Sequence, residues 1–191
     1  MRVLGVAGAL RRASYNRQLL RAAAELLPPE AEFVEYDGLK SLPPFDEDDE
    51  ASPGLAVEHW RRAIAGADAI LFATPEYNGS IPGQLKNAVD WASRPFADPV
   101  LRNKPVAVIG ASTGIFGAVW AQAELRKALS TAGARVIDRE LPVPGADEAF
   151  NEQGRLNDED LNLELSGILA ELAESAELRR TPAASEQQQA A

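Results

Sequence analysis

The sequence predicts an α/β protein built on a doubly wound, five-stranded parallel sheet with helices on both faces. Three observations predict it. Five β-type segments alternate with helical ones, and the central β segments are continuously apolar, as strands covered on both faces are. Three of the strands are followed by loops rich in glycine, and in such sheets ligands sit beyond the carboxyl ends of the strands, where strand order reverses.

The elements follow in order. Arg2 to Gly8 is a short apolar run ending in glycine and suits a buried central strand. From Ser14 on, Leu19, Leu20, Ala23, Ala24 and Leu27 mark one face of a helix that Pro28 and Pro29 end. Glu32 to Asp37 alternates weakly and reads as a second strand near an edge, followed by a long loop with Pro43, Pro44 and the acid run Asp46 to Glu50, read as solvated. Ser52 and Pro53 look like an N-cap and first helical residue, with Leu55 to Ala65 as the helix and Gly66 at its end.

Ala69 to Ala73 gives the third strand and Gln84 to Ala92 the next helix. Val106 to Ile109 is the fourth strand, and Ala118, Ala121, Leu125, Ala128 and Leu129 are the face of the helix after it. Arg135 to Ile137 supplies a short fifth strand, and Leu161, Leu165, Ile168, Leu169 and Leu172 form the stripe of a closing helix. Residues 1–178 are thus expected to form one domain and 179–191, which lack apolar periodicity, a disordered tail.

Composition narrows the function. Of 191 residues, 19 are Lys or Arg and 29 are Asp or Glu, a net charge of −10 that makes nucleic acid and anionic membrane poor partners. The apolar stretches fall short of a membrane span, and a cytoplasmic protein is expected. With no cysteine, thiolate nucleophiles, iron–sulfur clusters and cysteine-based zinc sites are excluded, so redox chemistry has to come from a cofactor. His59, the single histidine, lies in a helical pattern away from the strand ends, so no Ser-His-Asp triad or multi-histidine metal site is expected. Trp60, Trp91 and Trp120 fall within helices, where aromatics pack cores or subunit interfaces.

The chemistry is expected in the three loops. Gly8-Ala9-Leu10-Arg11-Arg12-Ala13-Ser14-Tyr15-Asn16 brings cations, a hydroxyl and an amide to a helix N-terminus, where free N–H groups and the helix dipole favour an anion such as phosphate. Ordinary capping by Ser14 explains the same residues, and both readings stand at this point. Thr74 to Gly83 is longer than a usual crossover loop, and its prolines and glycines would hold backbone groups rigidly against the edge of a planar ring. Ser112 to Gly117 places hydroxyls and glycines at a third strand end and could line the ring's other side.

Three stretches carry a resemblance to a known family. Gly8 to Asn16 resembles a Gly-Ser-Leu-Arg-x-x-Ser-x-Asn loop, Pro75-Glu76-Tyr77-Asn78 a Pro-Glu-Tyr-Asn loop, and Leu85-Lys86-Asn87-Ala88-Val89-Asp90-Trp91 the helix after it. The chain resembles the NADPH-dependent FMN reductases of flavodoxin-like fold, in particular their bacterial quinone and chromate reductase branch. The likeness extends over Leu42 to Asp46 and Ser112 to Gly117, and takes in residues 1–175.

The resemblance implies that Ala9 (through its backbone), Arg11, Ser14, Tyr15 and Asn16 hold FMN at its phosphate end. It further implies that Pro75, Glu76, Tyr77 and Asn78 contact the isoalloxazine and ribityl portions, and that Ser112, Thr113 and Gly114 close the pocket. No conventional catalytic residue and no metal is implied: NADPH reduces FMN, and a quinone or similar small acceptor reoxidises it. Ala9 stands where the family commonly has serine, and losing a hydroxyl contact to phosphate costs about 1.5 to 3 kcal/mol, so weaker FMN binding is expected. The resemblance also implies a homodimer or homotetramer, with Trp60, Trp91 and the acid loop meeting a neighbour. A non-enzymatic flavodoxin-like electron carrier is the alternative, supported by the acidic charge but opposed by Arg11 and Arg12 where flavodoxins show a Thr-Gly-Thr type of loop.

Overall fold

A computed structural model describes residues 1–180. Six parallel strands form one sheet: β1 (Arg2–Ala7), β2 (Glu32–Glu35), β3 (Ala69–Thr74), β4 (Pro105–Ala111), β5 (Arg135–Val136) and β6 (Pro142–Val143). The order is β2-β1-β3-β4-β5, with β6 also on β4, so the order reverses between β1 and β3. Among the described residues five α-helices accompany them: α1 (Tyr15–Leu26), α2 (Gly54–Ala65), α3 (Gly83–Ala92), α4 (Val119–Thr131) and α5 (Glu159–Arg180).

Strand alternation explains the two layers. Val3, Leu71, Ala73, Ala107 and Ile109 face α1 and α5, where they meet Leu19, Leu20, Leu165, Ile168 and Leu172. Leu4, Val6, Ile70, Phe72, Val106 and Val108 face the other way, onto Val57, Trp60, Ile64, Leu85, Trp91 and Leu125 of α2, α3 and α4. The central strands are buried on both sides, which is why they read as unbroken apolar runs.

Several expectations need correction. The fifth strand position is filled by two pieces rather than one: β5 pairs with the start of β4 and β6 with its end. Between them, the buried Gln122 side chain accepts a hydrogen bond from Leu141 N and donates to Gly117 O, replacing ladder bonds that the interrupted edge does not make. Two residues are too few for an alternating pattern, so β6 left no signal. Helix α2 starts at Gly54, with Pro53 just outside it and no side-chain cap, so Ser52 does not serve as N-cap.

Trp60 and Trp91 are fully buried, their ring N–H groups donating to Ala88 O and Pro43 O, so they belong to the core and not to a subunit contact. Part of the acid loop is ordered by ion pairing: Arg94 holds Glu50 at 2.6 Å and Glu47 at 3.6 Å. Arg179 and Arg180 form the last turn of α5 rather than the start of a tail, and residues 181–191 of that expected tail lie outside the described residues.

Candidate functional site

The three loops meet at the carboxyl edge of the sheet, and hydrogen bonds tie them together. Gly8 N donates to Ala73 O at 2.8 Å, joining the end of β1 to the end of β3. Asn16, in the first turn of α1, is 2% exposed; its amide donates to Ala111 O at 2.9 Å and accepts from Ala111 N at 3.0 Å. Glu76 reaches across to α4, where one carboxylate oxygen accepts from Trp120 N at 3.1 Å and Ala121 N at 3.2 Å.

In the first loop, Ala9 is buried while Leu10 to Ala13 are exposed. No hydrogen bond within the described residues claims the backbone N–H groups of Ala9 to Ala13. Ser14 is the N-cap of α1, its hydroxyl accepting from Asn16 N at 3.2 Å. Arg11 lies over the Tyr15 ring at 5.0 Å and has no ion-pair partner among the described residues. Free donors, a helix N-terminus and an unpaired guanidinium give this loop what an anion needs. Asn16 stands apart: its amide is committed to Ala111, behind the loop.

The second loop folds into a feature that the sequence reading missed. Tyr77 and Ser80 exchange both backbone hydrogen bonds, at 3.0 and 3.1 Å, around Asn78 (φ 54°) and Gly79 (φ 73°). Two left-handed central residues make a type I′ turn, and Asn-Gly was its legible signal. Pro75 is buried under this turn while Tyr77, Asn78 and Gly79 are exposed. The Ser80 hydroxyl donates to Glu124, a second link to α4.

In the third loop Ser112 is held at both backbone groups, its N–H to Val143 O at 3.0 Å and its C=O from Ala146 N at 3.1 Å. The Ser112 hydroxyl accepts from Gly114 N at 3.2 Å, and Thr113 and Gly114 face solvent. Gln122, which sequence reasoning missed because a lone glutamine in a helix carries no signal, supports this loop from beneath. A separate cleft of about 700 Å³ lies between α3 and α4 and touches the site only through Ser80 and Ile81.

Unclaimed N–H groups beside an unpaired arginine at the start of α1, and a rigid polar turn after β3, are features that suit a flat, phosphate-bearing cofactor, and the reversal of strand order is that of the flavodoxin-like fold. The family model for NADPH-dependent FMN reductase matches residues 1–148, and the chain belongs to that family. It is 44% identical over 162 residues to an NAD(P)H-dependent FMN reductase of Pseudomonas aeruginosa, covering 83% of this chain and 86% of that one. A quinone reductase of Pseudomonas putida is 39% identical over 155 residues, covering 80% and 83%. Among solved structures, a flavoenzyme NAD(P)H:(acceptor) oxidoreductase of Paracoccus denitrificans superposes with a TM-score of 0.81 at 34% identity, over 92% of this chain and 97% of that one.

Among the described residues no group of three or more His, Cys, Asp or Glu side chains is placed to hold a metal ion, and no helix is long and apolar enough to cross a membrane.

Proposed function

We propose that the protein takes electrons from NADPH through bound FMN and passes them to a quinone or a similar small acceptor. FMN, when bound, supplies the hydride and electron chemistry. The chain's own residues bind and orient it. Arg11 and the N–H groups of Ala9 to Ala13 hold the phosphate at the positive end of α1, with Ser14 and Tyr15 shaping the cradle. Pro75, Glu76, Tyr77 and Asn78 border the ring and ribityl chain, with Ser112, Thr113 and Gly114 on the other side. The observation that carries the reading is the row of unclaimed N–H groups beside an unpaired Arg11, on the same sheet edge as the rigid turn.

The acceptor is proposed from the relatives: besides the quinone reductases, a 2-hydroxy-1,4-benzoquinone reductase of a Burkholderia species is 42% identical over 126 residues. Asn16 is assigned a positioning role through Ala111 rather than a phosphate contact. Equal kcat/KM for NADH and NADPH would remove the nucleotide preference from this reading. A homodimer or homotetramer in the cytoplasm, where NADPH is supplied, completes it. The cleft between α3 and α4, with apolar Ile81 and Val89 and the 82% exposed Phe96 at its edge, supports self-association. Light scattering of the eluting protein at a monomer's mass would contradict it.

The test is a titration of flavin-free protein with FMN and with riboflavin, followed by flavin fluorescence. The expected result is tighter binding of FMN, with that advantage cut about tenfold in Arg11→Ala. Equal binding of the two flavins by the unaltered protein would remove the phosphate cradle.

A further inference from the structure

Beside the second loop stands an apolar group that the cofactor reading does not use. Ile115 is 80% exposed, Phe116 54% and Trp120 49%, and the Phe116 and Trp120 rings pack edge to face at 4.7 Å. Trp60 and Trp91, by contrast, are wholly buried. Large side chains on a soluble surface usually stand singly; three together on one loop and the first turn of the next helix mark a contact surface.

The backbone holds this group out at a conformational cost. Gly117 (φ 55°) and Ala118 (φ 63°) are consecutive left-handed residues between Phe116 and α4. A Cβ on residue 117 would lie 2.6 Å from the backbone of Pro142 and Val143, so the chain is pressed against β6 there. Alanine in the left-handed region persists only where its surroundings over-determine it, and such positions cluster at functional sites. The surroundings here are Gln122, bonded to Gly117 O, and Glu76, bonded to Trp120 N. Through Glu76 the aromatic pair is fixed to the Pro75–Asn78 stretch, the proposed border of the flavin ring.

We propose that Ile115, Phe116 and Trp120 form the docking platform for the oxidising substrate, and that it selects flat conjugated acceptors of naphthoquinone size over small non-aromatic ones. The inference rests on the proposed function and deepens it. The three side chains are uncharged and apolar, two of them aromatic, and none of them carries a cation to pair with phosphate or carboxylate, so their chemistry suits a neutral planar ring gaining edge and face contacts. Glu76 is the positioning residue that sets the platform's distance from the turn.

The test compares two acceptors on the FMN-loaded protein with NADPH as donor: 1,4-naphthoquinone and ferricyanide. In Trp120→Ala and Phe116→Leu, the ratio of the naphthoquinone KM to the ferricyanide KM is expected to rise about five- to tenfold, with Trp120→Phe restoring most of it. Phe116→Leu keeps the apolar bulk and removes only the ring. In the FMN-loaded protein, naphthoquinone is also expected to quench the exposed tryptophan emission, and Trp120→Phe to abolish that quenching. A KM ratio unchanged in both variants would overturn the platform. So would a change in oligomeric mass accompanied by equal shifts for both acceptors, since that would make the surface a contact between copies. Failure of the unaltered protein to reduce either acceptor would instead sink the parent reading.

Discussion

The two ends of the central sheet treat their polar groups in opposite ways. At the amino end, Lys104 is 1% exposed and its ammonium donates to Ala65 O and Ala67 O, closing the C-terminus of α2. Asp68 accepts from Arg2 N at 2.7 Å, and Asn103 N donates to Gly133 O at 2.8 Å. At the carboxyl end, no hydrogen bond among the described residues claims the N–H groups of Ala9 to Ala13, and Tyr77, Asn78, Ile115 and Phe116 stand out in solvent. One end spends its hydrogen bonds on itself, while the other is held rigid from behind and leaves its front groups unpaired, where the proposed cofactor would meet them. Rigidity and openness are therefore separable at the site: Asn16, Glu76 and Gln122 supply the first, the first loop and the Asn-Gly turn the second.

The largest effect should come from breaking the rigid backing. Gly117→Ala adds a Cβ against the backbone of β6 in a left-handed position, and is expected to lower stability by about 3 kcal/mol in urea denaturation. A loss under about 0.5 kcal/mol would show that this end is looser than described.

Next is Asn16→Ala, which removes both hydrogen bonds that the Asn16 amide makes to the backbone of the buried Ala111. A loss of about 2 to 3 kcal/mol is expected. Because Asn16 acts through the loops, FMN and riboflavin affinity should fall together; a fall for FMN alone would return Asn16 to the phosphate.

The amino end is probed by pH. Burial is the main cause that pushes the Lys104 ammonium down from 10.5 to about 8, with Arg179 adding to it and Asp68 opposing. A base whose folded pKa lies below its unfolded one binds fewer protons in the folded state, so stability rises as pH climbs from about 8 toward 10.5. Burial also raises Tyr36 from 10.0 to about 12, and its contribution is full below pH 10 and lost as pH passes through 12. Stability from these two groups should increase by about 2 kcal/mol from pH 8 to 10 and turn over above it. Lys104→Met should remove the rise, and a rise that survives in that variant would assign it elsewhere.

The smallest structural effect is expected where the ligand effect is selective. Arg11 is exposed and only packs on Tyr15, so Arg11→Ala should leave stability within about 0.5 kcal/mol. FMN affinity should fall about tenfold, as for one charged hydrogen bond, with riboflavin affinity unchanged.

Much of this was legible in the sequence because burial on both faces writes itself as unbroken apolar runs, as in Ala69 to Ala73 and Val106 to Ile109. The loops were legible through glycine, proline and charge. What stayed hidden depends on partners distant in sequence. Asn16 reads as a cap-region amide until Ala111, 95 residues away, is seen to occupy it. Glu76 reads as a ring contact until α4 claims its carboxylate, and Trp91 gives no hint that Pro43 holds its ring N–H. β6 is too short for periodicity and exists because Gln122 and β4 hold it. The Asn-Gly turn is a different case: the signal was present, within a loop read for its ligand rather than its geometry.

The most direct measurement is anaerobic. The purified protein is loaded with FMN, freed of excess, mixed with NADPH, and the absorption band of oxidised flavin is followed. Rapid bleaching, followed by recovery of the band when 1,4-naphthoquinone is added, is the predicted result. A bound flavin that stays oxidised in the presence of NADPH would contradict the account and shift it to an electron carrier reduced by a protein partner.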